Sequence, residues 1–279
     1  MQLSRTARIV LRVTAGIGFA VVYVPLLLVL VNSLNPDRSA SWPPPGFTGH
    51  WWSVAWDNTG ARGALWVSVQ AGLGATAVAL VLGTMIAFAV ARYRFFGRHA
   101  VSFVVVLPIA LPGIVTGIAL NSAFGTVLEP LGVGLGLFTV VVGHATFCIV
   151  IVFNNVVARL RRTSAGYEEA AMDLGAHTFR AFVDITFPLV RSALVAGALL
   201  AFALSFDEIV VTTFTAGPGI QTLPVWIFEN MTRPQQAPVV NVVAAVLVLV
   251  SVIPIYLAQR LSSDTAAAAG KAGARSAGA

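Results

Sequence analysis

Apolar runs separated by short polar stretches set the organisation of this chain. Six are long enough to supply the roughly 20 helical residues that a hydrocarbon core requires: Ile9 to Val31, Ala64 to Ala91, Ala100 to Leu120, Leu135 to Val157, Ser192 to Phe214 and Val239 to Gln259. The pattern predicts an all-α, polytopic membrane protein with six transmembrane helices. The first run is longer than a typical signal-peptide core, and no small-residue cleavage site follows it, so it reads as an uncleaved span. Pro25, Pro108, Pro112 and Pro254 fall inside runs, where a missing backbone donor kinks a helix. The pattern divides the chain into residues 1–31 (cytoplasmic N-terminus and first span), 32–63 (external loop), 64–261 (a five-span core) and 262–279 (tail). The loop contains Trp42-Pro43-Pro44-Pro45-Gly46 and reads as a turn-rich excursion without a core of its own. The tail is nearly all Ala, Gly and Ser and is expected to be disordered in the cytoplasm.

Composition agrees with this pattern. Of 279 residues, 57% are hydrophobic and only 10% charged, with a mean hydropathy of +0.86, which excludes a water-soluble domain of this length. The net charge of +6 does not indicate nucleic acid. All the basic residues except Lys271 are arginine, clustered at the ends of apolar runs. Of the 17 basic residues, only Arg38, Arg62 and Arg233 fall on one side of the predicted membrane, which places both termini in the cytoplasm. Trp42, Trp51, Trp52, Trp56, Trp66 and Trp226 then sit at the external headgroup level, where amphipathic rings are favoured.

The richest charge cluster lies in the cytoplasmic loop 158–191. Tyr167, Ala170, Ala171 and Leu174 recur at helical spacing and form one apolar face, with Glu168, Glu169 and Asp173 around it. Ser164 is placed to cap the start of this helix and Gly175 to end it. At about 15 Å, such a helix neither crosses a bilayer nor is stable alone, so it must dock on something. A helix lying on the inner leaflet is the plainer alternative, but three acids are repelled by anionic lipid. A groove in a cytoplasmic protein suits them better.

Glu169-Ala170-Ala171, three residues, Gly175, nine residues, Ile185, one residue, Phe187 and Pro188 resemble the signature of the membrane subunits of binding-protein-dependent ABC importers, with Phe187 standing where Leu is usual. The resemblance implies a type I importer permease core in which 158–191 is the coupling loop and its short helix seats in the ATPase. Glu168, Glu169, Ala170, Ala171, Asp173, Gly175, Ile185 and Pro188 are its candidate coupling residues. The implied partners are a dimer of ABC ATPase subunits, a second permease that is related but non-identical, an external solute-binding protein and membrane lipid, with no nucleic acid. The implied location is the plasma (inner) membrane. No cofactor is expected on this chain, with ATP and Mg on the partner ATPase. The segment Ser205 to Phe214, with Gly217-Pro218 and Thr222-Leu223-Pro224, looks most similar to the spermidine and putrescine permease branch, so the solute implied is a polyamine. Importers of other small solutes share parts of this segment.

Asp207 and Glu208 are the only carboxylates inside a predicted span. Each costs about 2.5–3.5 kcal/mol at a helix centre, and about 24 Å separates the pair from Arg191 along the helix. They are candidates for the outer solute path. Successive helical residues diverge by about 100°, so one is expected to face the path and the other to bond elsewhere; solvated or interhelically bonded acids are the plainer reading. His144 and Cys148 share a helix face but have no further ligand near them, so they read as core packing rather than a metal site. Asn154 and Asn155 are expected to bond between helices, and Asn230-Met231-Thr232 is a chance match to a glycosylation pattern. No phosphate-binding Gly-x-x-x-x-Gly-Lys-Ser/Thr motif or hydrolytic grouping occurs, which argues against an enzyme. A secondary transporter should show internal repeats and interrupted helices, and a channel gives the docking loop no purpose.

Overall fold

The computed structural model describes residues 4–38, 41–164 and 166–276. Every regular element among them is helical. Two compact units divide the chain: one comprises residues up to Arg62 with Trp226–Val250, the other Gly63–Val225 with the segment from Ser251 onward.

In the first unit, α1 (Arg5–Asn32) buries none of its residues. Ser4 caps it by accepting from the Ala7 amide at 3.2 Å. The following loop is more ordered than its proline-rich sequence predicts. Asn35 is buried; its side chain donates to the Ser41 carbonyl at 3.1 Å and accepts from the Asp37 amide at 2.9 Å. A short helix, α2 (His50–Asp57), follows. Its entry is set by Thr48 Oγ1, which accepts from the His50 amide, and the Arg38 guanidinium lies 5.7 Å from the Trp51 ring centre. Two sequence-distant contributions to this unit are the end of α11 (Leu223–Asn230) and the start of α12 (Ala237–Ser276). Asn230 is buried, donates to the Trp226 carbonyl and accepts from Arg233.

In the second unit, α3 (Thr59–Arg92), α6 (Leu137–Arg161) and α9 (Phe187–Phe206) supply the core. Lipid is as apolar as the side chains it competes with, so close packing rather than water exclusion holds such helices together. Small residues permit that packing. Ala71, Ala75, Ala79 and Ala87 are fully buried along one face of α3, and a Cβ at Gly83 would lie 2.9 Å from the Ile149 carbonyl of α6.

Three expectations change at the element level. The predicted third span, Ala100 to Leu120, is two helices, α4 (Arg98–Ala110) and α5 (Gly113–Val127). Leu111 is extended, because the residue before a proline is pushed out of the helical region and Pro112 has no amide to continue the ladder. The predicted fifth span, Ser192 to Phe214, is shifted. α8 (Thr178–Ala181), a π-helical turn Phe182–Thr186 and α9 form one continuous crossing, Thr178–Phe206, and α10 (Val210–Thr215) is separate. The tail, expected to be disordered, continues the α12 backbone as helix to Ser276; alanine, its main constituent, is the strongest helix former. Among the described residues five helices are long and apolar enough to cross a membrane, and the sixth predicted span falls on α12.

Candidate functional site

Two places concentrate polar side chains in the second unit. One is the loop between α6 and α9. There α7 (Gly166–Asp173) begins where Ser164 Oγ accepts from the Gly166 amide at 3.2 Å. It ends at Gly175, whose φ of +92° is the left-handed geometry that a glycine adopts without a Cβ clash. The Gly175 amide donates to the Met172 carbonyl and the Ala176 amide to the Ala171 carbonyl. Tyr167 is 60% exposed, Met172 42% and Leu174 90%. Glu169, Ala170 and Asp173 are also exposed, while Ala171 is half-buried. So α7 presents an exposed surface that is both apolar and acidic. Ile185 is half-buried in the π-helical turn. Pro188, the second residue of α9, lies inside the continuous helix Thr178–Phe206 and offers no amide to the preceding turn, which is the π-helical turn Phe182–Thr186.

Glu168 departs from the expected arrangement. It is turned inward, and its Oε1 accepts from Arg92 Nη2 at 2.9 Å and from Thr186 Oγ1 at 2.7 Å. In the sequence Arg92 is only one of the basic residues on the cytoplasmic side, and nothing there marks Thr186. Arg159 was missed as well; its Nε donates to the Leu189 carbonyl at 2.7 Å and ties the end of α6 to α9. Among the described residues Asn155 donates to the Ile151 carbonyl within α6 rather than bonding between helices. With Arg159, Arg162 and Ser192 it lines a cavity of about 160 Å3.

The second place is the break between α9 and α10. Asp207 and Glu208 lie in this break rather than inside a span, which spares the chain two carboxylates in a helix centre. Glu208 Oε1 accepts from the Val211 amide at 2.8 Å and so caps α10. Asp207 ends α9; its carboxylate is exposed and has no hydrogen bond or ion pair among the described residues. Val210 packs against the other break, since a Cβ on Gly113 would lie 3.4 Å from the Val210 side chain. The two interrupted helices therefore meet beside the carboxylates.

His144 holds this break in place. It is fully buried, with Nδ1 2.7 Å from Ser205 Oγ and Nε2 2.8 Å from Thr212 Oγ1. The Thr212 hydroxyl donates to the Glu208 carbonyl at 3.0 Å. Its proton is thereby used, so His144 Nε2–H donates to Thr212 and Nδ1 accepts from Ser205. The ring thus ties α6 to both sides of the break. Cys148, one turn on, donates to the Ala201 carbonyl at 3.3 Å. No group of three or more possible metal ligands occurs among the described residues.

An all-helical arrangement in which five helices among the described residues are long and apolar enough to cross a membrane belongs to the class of polytopic membrane proteins. The fold is shared with a bacterial ABC transporter involved in the import of the acidic polysaccharide alginate, at a TM-score of 0.68 and 18% identity, covering 95% of this chain and 99% of that one. Residues 79–265 match the family described as the binding-protein-dependent transport system inner membrane component. The putrescine transport system permease protein PotI of Escherichia coli K12 is 32% identical over 252 residues, covering 88% of this chain and 89% of the relative. The spermidine/putrescine transport system permease protein PotC of the same strain is 33% identical over 247 residues, covering 88% and 91%. The chain belongs to the binding-protein-dependent transport system inner membrane component family. It is an inner-membrane permease component of an ABC importer and not an enzyme, as the signature predicts.

Proposed function

We propose that the chain is the permease of a polyamine importer, working by alternating access with a related but non-identical second permease. An external binding protein delivers the solute. Two ATPase subunits, carrying ATP and Mg, drive the cycle through α7, with Glu169, Ala170, Ala171, Asp173, Gly175, Ile185 and Pro188 forming or supporting the docking surface and Glu168 acting from behind it. The arginine distribution supports an orientation with α7 and both termini in the cytoplasm and the break at Asp207 toward the outside.

One observation carries the cation reading. Asp207 is an exposed carboxylate with no hydrogen-bond or ion-pair partner among the described residues, at the break between α9 and α10. A flexible multivalent ammonium supplies the charge-assisted donor that this carboxylate lacks. The likeness to putrescine and spermidine permeases over 88% of the chain supports the same solute class. Glu208 has the capping role instead.

The test is uptake by the purified assembly in proteoliposomes, with calorimetry of its binding protein against polyamines and other small solutes. Asp207→Asn is expected to raise the half-saturating polyamine concentration about tenfold, equivalent to ~1.4 kcal/mol. Glu208→Gln, whose amide oxygen still caps α10, is expected to stay within about twofold. Unchanged uptake by Asp207→Asn would remove Asp207 from the path, and a binding protein indifferent to polyamines would redirect the solute assignment.

A further inference from the structure

The inward side of α7 shows how movement of a docked helix reaches the membrane. We infer that Arg92, Glu168 and Thr186 form a joint that makes α7 move as one body with the end of α3 and the start of α9. On the reading that α7 docks the ATPase, these are positioning residues for coupling. An eight-residue helix has no stability of its own, so its orientation is set by what it is tied to. Here one carboxylate oxygen gathers three segments. Glu168 Oε1 on α7 accepts from Arg92, the last residue of α3, and from Thr186, the last residue of the π-helical turn.

The surroundings make this bond stronger than a surface pair. The Arg92 and Glu168 side chains are 14% and 29% exposed, against 72% and 60% for the exposed Arg180–Asp184 pair within the loop, and pairs of the exposed kind contribute little. Among the described residues Arg92 Nε is buried without a hydrogen-bond partner, and Glu168 is the only ion-pair partner of Arg92. Removing the carboxylate leaves a largely buried guanidinium uncompensated. Thr186 is itself buried and sits directly before Phe187, from which α9 runs to the break at Asp207. π-helical turns are uncommon and occur often at functional sites; this one joins the docking loop to the crossing that ends at the candidate solute carboxylate. A displacement of α7 is therefore delivered to two membrane helices at once.

The complete assembly in proteoliposomes tests the joint through the solute taken up per ATP hydrolysed. Arg92→Gln and Glu168→Ala are expected to lower that ratio about tenfold, with the subunits still co-purifying and ATP still hydrolysed. The charge exchange Arg92→Glu with Glu168→Arg is expected to restore it to within about twofold of wild type. Single variants that couple normally, or a charge exchange no better than the singles, overturn the joint. A second measurement needs neither ATPase nor solute. A spin label on Met172→Cys in the isolated permease is expected to be more mobile in Arg92→Gln than in its parent, and equal mobility overturns the joint. A wild-type assembly that hydrolyses ATP without uptake would instead sink the importer reading, leaving label mobility to decide the joint.

Discussion

His144 shows how a single side chain fixes a break in a membrane helix. Its two ring nitrogens serve Ser205 at the end of α9 and Thr212 in α10, so the backbone can part at Asp207 while the helices on either side stay attached to α6. His144→Ala removes both bonds and leaves two buried hydroxyls, a loss of about 1–3 kcal/mol. We expect the thermal midpoint of the detergent-solubilised permease to fall by several degrees, with Cys148→Ala falling less because a thiol is a weak donor. Scanning fluorimetry on the isolated subunit measures both. The sequence placed His144 correctly in the core but gave no sign of its partners. They lie 61 and 68 positions away, and local spacing carries no information about which distant hydroxyls will face a ring. The same holds for Arg92 and Glu168, which are 76 positions apart.

At the scale of elements, local chemistry was legible where it acts locally. Ser164, Gly175 and Pro188 mark the start of α7, its end and the first turn of α9 because capping and proline geometry depend on neighbours alone. Less legible was where continuous helices stop. Apolarity alone ran the third span across Pro112 and the fifth across Asp207, and backbone breaks at both positions instead separate the helices. The helix α2 was hidden by the prolines before it. For α7, a prediction follows from exposure. Glu169→Arg reverses charge on the proposed docking surface, and Gly175→Leu forces a branched side chain into left-handed geometry at a cost of about 1–2 kcal/mol. Both are expected to abolish ATP-coupled uptake in proteoliposomes while membrane insertion, followed by fractionation, is unaffected.

For the whole molecule, two kinds of residue divide the work. Apolar and small side chains between α3, α6 and α9 pack the core, and the buried His144 and Thr186 are polar groups that stand where one segment is tied to another. Family membership was accessible from the sequence because its signature is compact and local. Solute identity is not encoded so compactly, since it depends on which charged groups of several chains surround one space.

The interruption at Leu111-Pro112 has an experimental consequence. Peptide groups outside a helix are tolerated at membrane depth only against protein or water, never against acyl chains, and Leu111 is 41% exposed. Cys148 is buried and is the only cysteine, so the native sequence already serves as an unreactive background for thiol chemistry. A Leu111→Cys variant in sealed vesicles is expected to react with a membrane-impermeant maleimide, and solute added in excess to slow that reaction. The same reagent applied to Phe19→Cys, on the exposed apolar surface of α1, is expected to give no labelling, which would make reactivity a map of where water enters the protein.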